Sequence, residues 1–366
     1  MMQIQQKTKY LQGALYLAGI VACGVFLLVR VRGAAEWVVY KNDYYNGRDL
    51  YKNHYISHFR ESHPAFDRAF TERVPAYREH PDHPSLAAAE VIVFGDSFMN
   101  FRWLPSFPAL LAERLDTPVH FAMDHYPRSL LREAGYEGQP GRVALFAVGE
   151  RGIRDGFFVR GPGWGERMRK RRRTQAPFFQ MLMEGRAEPR YRALLQLSRL
   201  THRAYKWIAT RKFDWFGYIS RVTPVYALDP PVLFHQESVD GGPKSFQYAH
   251  PEEEIRTICD RIAALRNDLR ETHGLEMIFM AIPNKISIHH DLVWADAEYN
   301  AFIPRVQEGL AARGVAYVDL YGAFSASDAQ LYFLSDTHWN ENGIALALEE
   351  TLPVLEAHGV VPAQRP

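Results

Sequence analysis

Five short apolar runs dominate the pattern of hydrophobic and polar positions along the chain. They cover residues 91–94, 119–123, 143–148, 275–282 and 315–320. Short apolar runs bounded by turn-forming residues are typical of strands that are buried on both faces. Segments with helical spacing lie between several of them, at residues 108–115, 251–272 and 297–313. This alternation predicts an α/β fold in which helices cover both faces of a parallel sheet.

A further apolar run, at residues 10–29, is longer and carries no charge. About 20 such residues are enough to cross the ~30 Å hydrocarbon core of a bilayer. Lysines precede the run and arginines follow it, so charge bias sets no orientation. A cleaved signal segment ending before Cys23 is the alternative interpretation. The run stays apolar beyond Cys23, which favours an uncleaved anchor, and we expect a single N-terminal transmembrane helix.

The same pattern divides the chain into parts. Residues 1–33 are predicted to be the membrane anchor, and residues 34–86, which are rich in His, Tyr and Pro, a connecting segment that wraps the domain surface. The α/β domain is predicted to occupy residues 87–358. Residues 156–250 interrupt its alternation of strands and helices, and we interpret them as an insertion.

The insertion begins with a basic segment of helical pattern, residues 167–212, whose densest run is 168–173. Such a run is consistent with a solvated helix face, with contact to anionic lipid headgroups, or with binding of an anionic polysaccharide. Aromatic residues cluster near its end, and they are consistent with either a small core or a platform on which sugar rings stack: Trp207, Phe213, Trp215, Phe216 and Tyr218.

Overall charge and cysteine content narrow the function classes only slightly. The formal net charge is +1, so no global attraction to nucleic acid is implied, and no nucleic-acid partner is predicted. The two cysteines, Cys23 and Cys259, lie in an apolar segment and in a predicted helix, so we expect no disulfide between them. The trio His289-His290-Asp291 lacks metal-ligand spacing and is interpreted as a surface loop. We predict neither a metal nor a cofactor.

Two distant polar segments carry the candidate chemistry. Ser97 follows the apolar run 91–94 in the turn Gly95-Asp96-Ser97, and Asp336 precedes His338 by two residues, ahead of the final helical segment. Serine becomes a nucleophile when a base takes its proton and a third group orients that base. Helix capping is the alternative explanation for each segment taken alone. Together they predict Ser97 as nucleophile, His338 as base and Asp336 as the group that orients it.

These segments resemble the SGNH (GDSL-type) serine hydrolases and acyltransferases. Gly95–Phe98 is similar to the first family block and Asp336/His338 to the last. The motif Asp336-Thr-His-Trp-Asn340 is most similar to the alginate O-acetyltransferase-like branch, as are the stretches 282–285 and 148–151. The resemblance covers roughly residues 90–155 and 250–358.

The sequence also departs from the family pattern. In this chain the Asp-x-His motif follows the serine block, as in ordinary SGNH hydrolases. In the alginate branch the Asp-x-His motif is expected to precede the serine block. The second-block glycine is not evident, and Gly149-Glu150-Arg151 stands in place of the third-block Gly-x-Asn-Asp. Because those blocks normally build the oxyanion hole, we consider the backbone N–H of Ser97 as one donor and Arg151 as a candidate second donor.

Asp96 is expected to shape the turn, Trp339 to pack under His338, and Asn340 to cap the last helix.

The resemblance implies a three-layer SGNH-like catalytic domain at residues 87–358. It implies O-acyl transfer, specifically O-acetylation, to a bacterial cell-surface polysaccharide through an acyl-serine intermediate. It further implies a membrane-bound O-acyltransferase that supplies the acyl group, and a periplasmic domain held at the inner membrane by the N-terminal helix in the lipid. A polysaccharide deacetylase or esterase with the same triad is the main alternative. A non-catalytic scaffold of a polysaccharide export complex is the second alternative.

Overall fold

The computed structural model describes residues 16–21, 83–99, 106–122, 127–138, 141–159, 199–217, 225–228, 231–334 and 336–360. Contacts divide the chain into two units, Met1–Gly47 with Ala176–Ile208, and Arg48–Gln175 with Ala209–Pro366. In the first unit residues 16–21 are helical. Within the described ranges no helix combines the length and apolar character that crossing a bilayer requires. The rest of the predicted span at 10–29 lies outside those ranges, so the membrane helix stays a prediction.

The second unit contains a five-stranded sheet in which all neighbouring strands are parallel. The order is β2-β1-β3-β6-β7. Its strands are β1 (Val91–Phe94), β2 (Val119–Ala122), β3 (Val143–Gly149), β6 (Glu276–Ile282) and β7 (Ala316–Val318). Two further strands, β4 (Val225–Leu228) and β5 (Pro231–Phe234), form a separate antiparallel hairpin. All five runs predicted as strands therefore contain strands of one parallel sheet.

Alternate residues of each central strand enter two different hydrophobic cores. Val91 and Val93 of β1 lie in one core, and Ile92 and Phe94 lie in the other. All seven residues of β3 are buried, which explains why the sequence reads as continuous apolar runs and not as alternation. The sheet is thus covered on both faces, as the predicted α/β fold requires.

Helices occupy both sides of the sheet. Those whose apolar residues enter the core of Val91 are α1 (Phe107–Leu115), α8 (Leu320–Ser325) and α9 (Glu341–Ala357). Those that enter the core of Ile92 are α2 (Pro127–Glu133), α5 (Glu252–His273) and α7 (Phe302–Ala311). Short helices α3 (Glu150–Arg154) and α6 (Lys285–His289) follow β3 and β6, and α4 (Arg199–Phe216) lies within residues 156–250, the predicted insertion.

Two predicted boundaries were wrong for reasons of local chemistry. The run 315–320 was predicted as one strand, but the strand ends at Val318. The side chain of Asp319 accepts the N–H of Gly322 and caps the start of α8, which ends the extended segment. The helix predicted at 297–313 begins only at Phe302. The amide of Asn300 donates to the carbonyls of Ser245 and Tyr248, which holds the preceding residues in an irregular connection.

Three other expectations meet the structure outside the sheet. His289 ends α6 and the 3-10 turn His290–Leu292 follows, so the loop predicted at 289–291 was wrong. In α4 the side chains of Trp207, Trp215 and Phe216 are 60%, 67% and 77% exposed, which contradicts a small core formed by these rings. The basic run 168–173, Tyr218 and Cys23 lie outside the described ranges. Cys259 is a free, buried thiol.

Candidate active site

The nucleophile candidate Ser97 lies in a tight turn after β1, and its side chain is exposed. Asp96 holds that turn: one carboxylate oxygen accepts the N–H of Phe98 at 2.9 Å, and the other accepts the N–H of Gly149 at 3.0 Å. Gly95 leaves room for the side chain of Met99, since a Cβ at residue 95 would clash with Cγ of Met99. The carboxylate therefore ties the turn to the end of β3, in agreement with the expected turn-shaping role of Asp96.

Asp336 and His338 lie in a loop closed by its own backbone. The N–H of Phe333 donates to the carbonyl of His338 at 3.0 Å, and the N–H of Asn340 donates to the carbonyl of Leu331 at 2.9 Å. Asn340 also accepts the N–H of Gly343 through its side chain and caps α9, as expected from the sequence. The loop is thus fixed to the start of the last helix.

The structure brings the three predicted residues together. Nε2 of His338 lies 2.8 Å from Oγ of Ser97, and Nδ1 lies 2.5 Å from Oδ1 of Asp336. The same Asp336 oxygen accepts the backbone N–H of His338 at 2.9 Å. With Asp336 ionised, Nδ1 is the donor and Nε2 is free to accept the hydroxyl proton of Ser97. This arrangement can activate a serine for attack on a carbonyl carbon.

The aromatic residues around His338 are arranged differently from the expectation. The ring of Phe98 lies 4.8 Å from the His338 ring. Trp339 instead stacks on Phe107 and donates its indole N–H to the carbonyl of Phe98 at 2.9 Å. The expectation that Trp339 packs under His338 was therefore wrong, because the ring of Phe98 packs against His338 in its place.

A comparison with protein families bears on this geometry. The family model described as "SGNH hydrolase-like domain, acetyltransferase AlgX" matches residues 234–364. This confirms the family resemblance stated from the sequence, over residues 234–364. The SGNH hydrolase-like domain so defined contains Asp336 and His338, whereas Ser97 precedes it in the chain. Comparison with curated proteins and with solved structures gave no match. The family match indicates function of the acetyl-transfer or hydrolase type.

A buried carboxylate joins β3 to the SGNH hydrolase-like domain. Glu150 is only 5% exposed, and one of its oxygens accepts the backbone N–H of Asn284 at 2.8 Å and the hydroxyl of Ser287 at 2.7 Å. The other oxygen accepts the hydroxyl of Tyr299 at 2.8 Å. Burial raises the pKa of Glu150, and the three hydrogen bonds oppose that rise. Glu150 therefore holds the segments after β3 and β6 together at the carboxyl ends of the strands, the same end of the sheet at which Ser97 lies.

Arg151, the second oxyanion donor expected from the sequence, and Asn284, which follows β6, differ in their surroundings. Arg151 is half-buried and lines a cavity near the start of α3. The remaining lining residues are Glu150, Arg154, Pro243, Lys244, Ser245, His250 and Phe302. Asn284 is buried, and its Nδ2 has no hydrogen-bond partner among the described residues. The N–H of Gly149 is already bonded to Asp96, which removes it as a free donor.

The sequence placed Asn284 and Lys285 directly after the buried run of β6, at the carboxyl end of a strand, where ligand-binding residues of parallel sheets lie. It grouped them there with Ser97 but assigned no role to either side chain. The contacts that these side chains make could not be read from the sequence. Within the described residues no group of His, Cys, Asp and Glu is arranged to hold a metal ion.

Proposed function

We propose that this protein transfers an acyl group, specifically acetyl, to a bacterial cell-surface polysaccharide through an acyl-serine intermediate on Ser97. The observation that carries this proposal is the hydrogen bond between Oγ of Ser97 and Nε2 of His338. Asp336 behind the imidazole and the family match at residues 234–364 support it. The same geometry argues against a non-catalytic scaffold.

The proposed reaction has two halves. Oγ of Ser97 attacks the carbonyl carbon of the acyl donor while its proton passes to Nε2 of His338, and Asp336 stabilises the imidazolium. The proton then goes to the leaving group, and the acyl-serine ester remains. In the second half His338 takes the proton of a sugar hydroxyl, whose oxygen attacks the ester. Ser97 leaves with that proton, so the enzyme returns to its starting state.

The negative oxygen of each tetrahedral intermediate requires hydrogen-bond donors. The backbone N–H of Ser97 is the first donor in this proposal. Arg151 and the amide of Asn284 are the candidates for the second. Arg151 offers a charged donor, and Asn284 offers a donor that is not committed to another acceptor among the described residues.

Water is the competing acceptor for the acyl group. Because Ser97 is exposed, water can reach it, and an esterase or deacetylase is therefore the second candidate function. The two functions share every residue of the triad. They differ only in whether a sugar hydroxyl or water reaches the acyl-serine.

The rest of the proposal concerns supply and location. The acyl group is proposed to come from a membrane-bound O-acyltransferase, and the catalytic domain to lie in the periplasm behind an anchor at residues 10–29. Two reporter fusions after Pro366 test the location. Active alkaline phosphatase, together with a dark reporter that fluoresces only in the cytoplasm, supports a periplasmic domain. Inactive phosphatase together with a fluorescent reporter contradicts it.

The central experiment is intact-protein mass spectrometry of the full chain with a soluble acetyl ester. A mass increase of one acetyl group in the native protein and its absence in Ser97→Ala would support the acyl-serine. An acetyl adduct of equal yield in Ser97→Ala would overturn it.

A further inference from the structure

The two triad residues Asp336 and His338 depend on a loop for their placement. The loop is anchored at both ends by backbone hydrogen bonds to its own chain. The chemistry requires close alignment with Ser97, since a displacement of about 1 Å can cost ~100-fold in rate. A contact that fixes the middle of this loop therefore bears directly on catalysis.

Lys285 makes such a contact. It is the first residue of α6, it is 3% exposed, and its Nζ donates to the carbonyls of Phe333 at 2.8 Å and Leu334 at 3.1 Å. These carbonyls belong to consecutive residues immediately before the Asp336 segment. The carbonyl of Leu334 also accepts the backbone N–H of Leu233 at 2.9 Å, so Lys285 shares that carbonyl with β5 and holds the carbonyl of Phe333 by a hydrogen bond of its own.

The fixed carbonyl is connected to the base through the same residue. Phe333 accepts from Lys285 through its carbonyl and donates through its N–H to the carbonyl of His338. A second tie runs in parallel, because the buried hydroxyl of Tyr332 donates to the carbonyl of Pro283 at 2.8 Å. The segment after β6 therefore holds the loop at successive residues.

A buried ammonium group is a costly way to fill space. Removing a charge from water is unfavourable, and an apolar side chain of similar volume often serves stability as well or better. The long side chain of Lys285 packs its end near the ring of Phe234, 5.7 Å from the ring centre, in surroundings where methionine would also fit by volume. What methionine cannot do is donate to the two carbonyls.

We propose that Lys285 is a positioning residue that holds the Asp336–His338 loop in alignment with Ser97. This inference rests on the proposed function, because it gives Lys285 a role only if the triad is catalytic. Lys285 acts through the loop backbone and does not touch the substrate.

The test uses the full chain and the rate at which a fluorophosphonate probe labels Ser97, expressed per folded protein. Lys285→Met should slow labelling by about 100-fold, as expected for a misaligned base. Tyr332→Phe removes the parallel tie and should slow labelling by a smaller factor, which keeps the test available if Lys285→Met folds poorly. The kcat of acyl transfer should fall with the labelling rate, while KM for the acceptor should change little.

The matched control is Thr351→Val. Thr351 is fully buried, and its hydroxyl donates to the carbonyl of Ala347 within α9, away from the Lys285 contacts. It should lower the unfolding temperature without slowing the labelling of folded protein. Labelling of folded Lys285→Met within twofold of the native rate would overturn the inference, as would equal slowing by Thr351→Val. If Lys285→Met does not fold, labelling of Tyr332→Phe within twofold of the native rate would overturn it instead. Absence of labelling in the native protein would instead refute the proposed nucleophile, and the role of Lys285 would fall with it.

Discussion

Trp339 donates its indole N–H to the backbone carbonyl of Phe98 across 241 positions of sequence. Phe98 directly follows the nucleophile candidate, and Trp339 directly follows the base candidate. One hydrogen bond between buried groups therefore joins the two chain segments that must stay aligned for the proposed proton transfer from Ser97 to His338.

Trp339→Phe should weaken both the fold and the proposed reaction. It leaves the carbonyl of Phe98 without this donor, and such a loss costs about 1–3 kcal/mol for a buried group. Urea unfolding should show that loss, and fluorophosphonate labelling of the folded fraction should also slow because the two segments can separate. Phe107→Leu is the control, since it disturbs the ring stacked on Trp339 and spares the hydrogen bond. Equal labelling by Trp339→Phe and native protein would remove the indole from any role in alignment.

Variants of the triad should show losses that do not add. Ser97→Ala should abolish acyl transfer, and His338→Ala should be about as damaging, because members of a catalytic unit fail together. Asp336→Asn should retain more activity than either. The double variant Ser97→Ala/His338→Ala should be no worse than Ser97→Ala alone. Initial rates with a soluble acetyl ester measure this, with circular dichroism to show that each variant is folded. A His338→Ala protein with most of the native activity would return Asp336 and His338 to a capping role.

The second oxyanion donor can be assigned by comparing Asn284→Ala with Arg151→Ala. Removing one oxyanion donor typically costs 10²–10³ in kcat, about 2.7–4 kcal/mol. We expect the larger loss in Asn284→Ala, because its amide is buried and uncommitted among the described residues, whereas Arg151 lines a cavity with other charged groups. The measurement is kcat under saturating donor for both variants. A loss confined to Arg151→Ala would support the donor predicted from the sequence.

Glu150 should make stability depend on pH. Its pKa lies above the ordinary 4.5 in the folded protein because burial disfavours the charge. Between the unfolded and the folded pKa the folded state binds more protons, so the free energy of unfolding falls as pH rises through that interval. Glu150→Gln should flatten this fall, measured by urea unfolding at a series of pH values from 4 upwards. Glu90→Gln, at an exposed position, is the control and should leave the slope unchanged. A slope that persists in Glu150→Gln would assign the pH dependence to other groups.

The sequence predicted the sheet well because its strands are buried on both faces. The runs around Val91 and Val143 need apolar residues at every position, and that pattern is visible without a structure. Boundaries were less predictable where side chains intervene, as where Asp319 ends a strand by capping α8. The proximity of Ser97, Asp336 and His338 was predictable because Ser97 lies in the turn after an apolar run and Asp336 lies two residues from His338.

The contacts that hold the site were not predictable from local sequence. Asp96 bonds Gly149, Lys285 bonds Phe333, and Trp339 bonds Phe98, and each pair is distant in the chain. No local pattern encodes which carbonyl a lysine or an indole will reach. The roles of Asn284 and Lys285 therefore emerge only when the ends of β3 and β6 are placed side by side.

Transferase and esterase can be separated by the fate of the acyl-serine. A transferase must hold the acceptor sugar next to Ser97, because positioning supplies several kcal/mol of the barrier, on the order of 7–11 in favourable cases. We expect slow release of free acid from a soluble acetyl ester, and diversion of acetyl groups onto sugar when an oligosaccharide of the right surface glycan is added. Mass spectrometry of the oligosaccharide, alongside titration of free acid, gives the partition ratio. Replacing the five basic residues at 169–173 with glutamine should lower transfer more than hydrolysis if that run binds an anionic acceptor, and should leave both unchanged if it is a solvated face. Fast hydrolysis without acetylated sugar across several glycans would favour the esterase, and removal of acetyl groups from a pre-acetylated glycan would establish it.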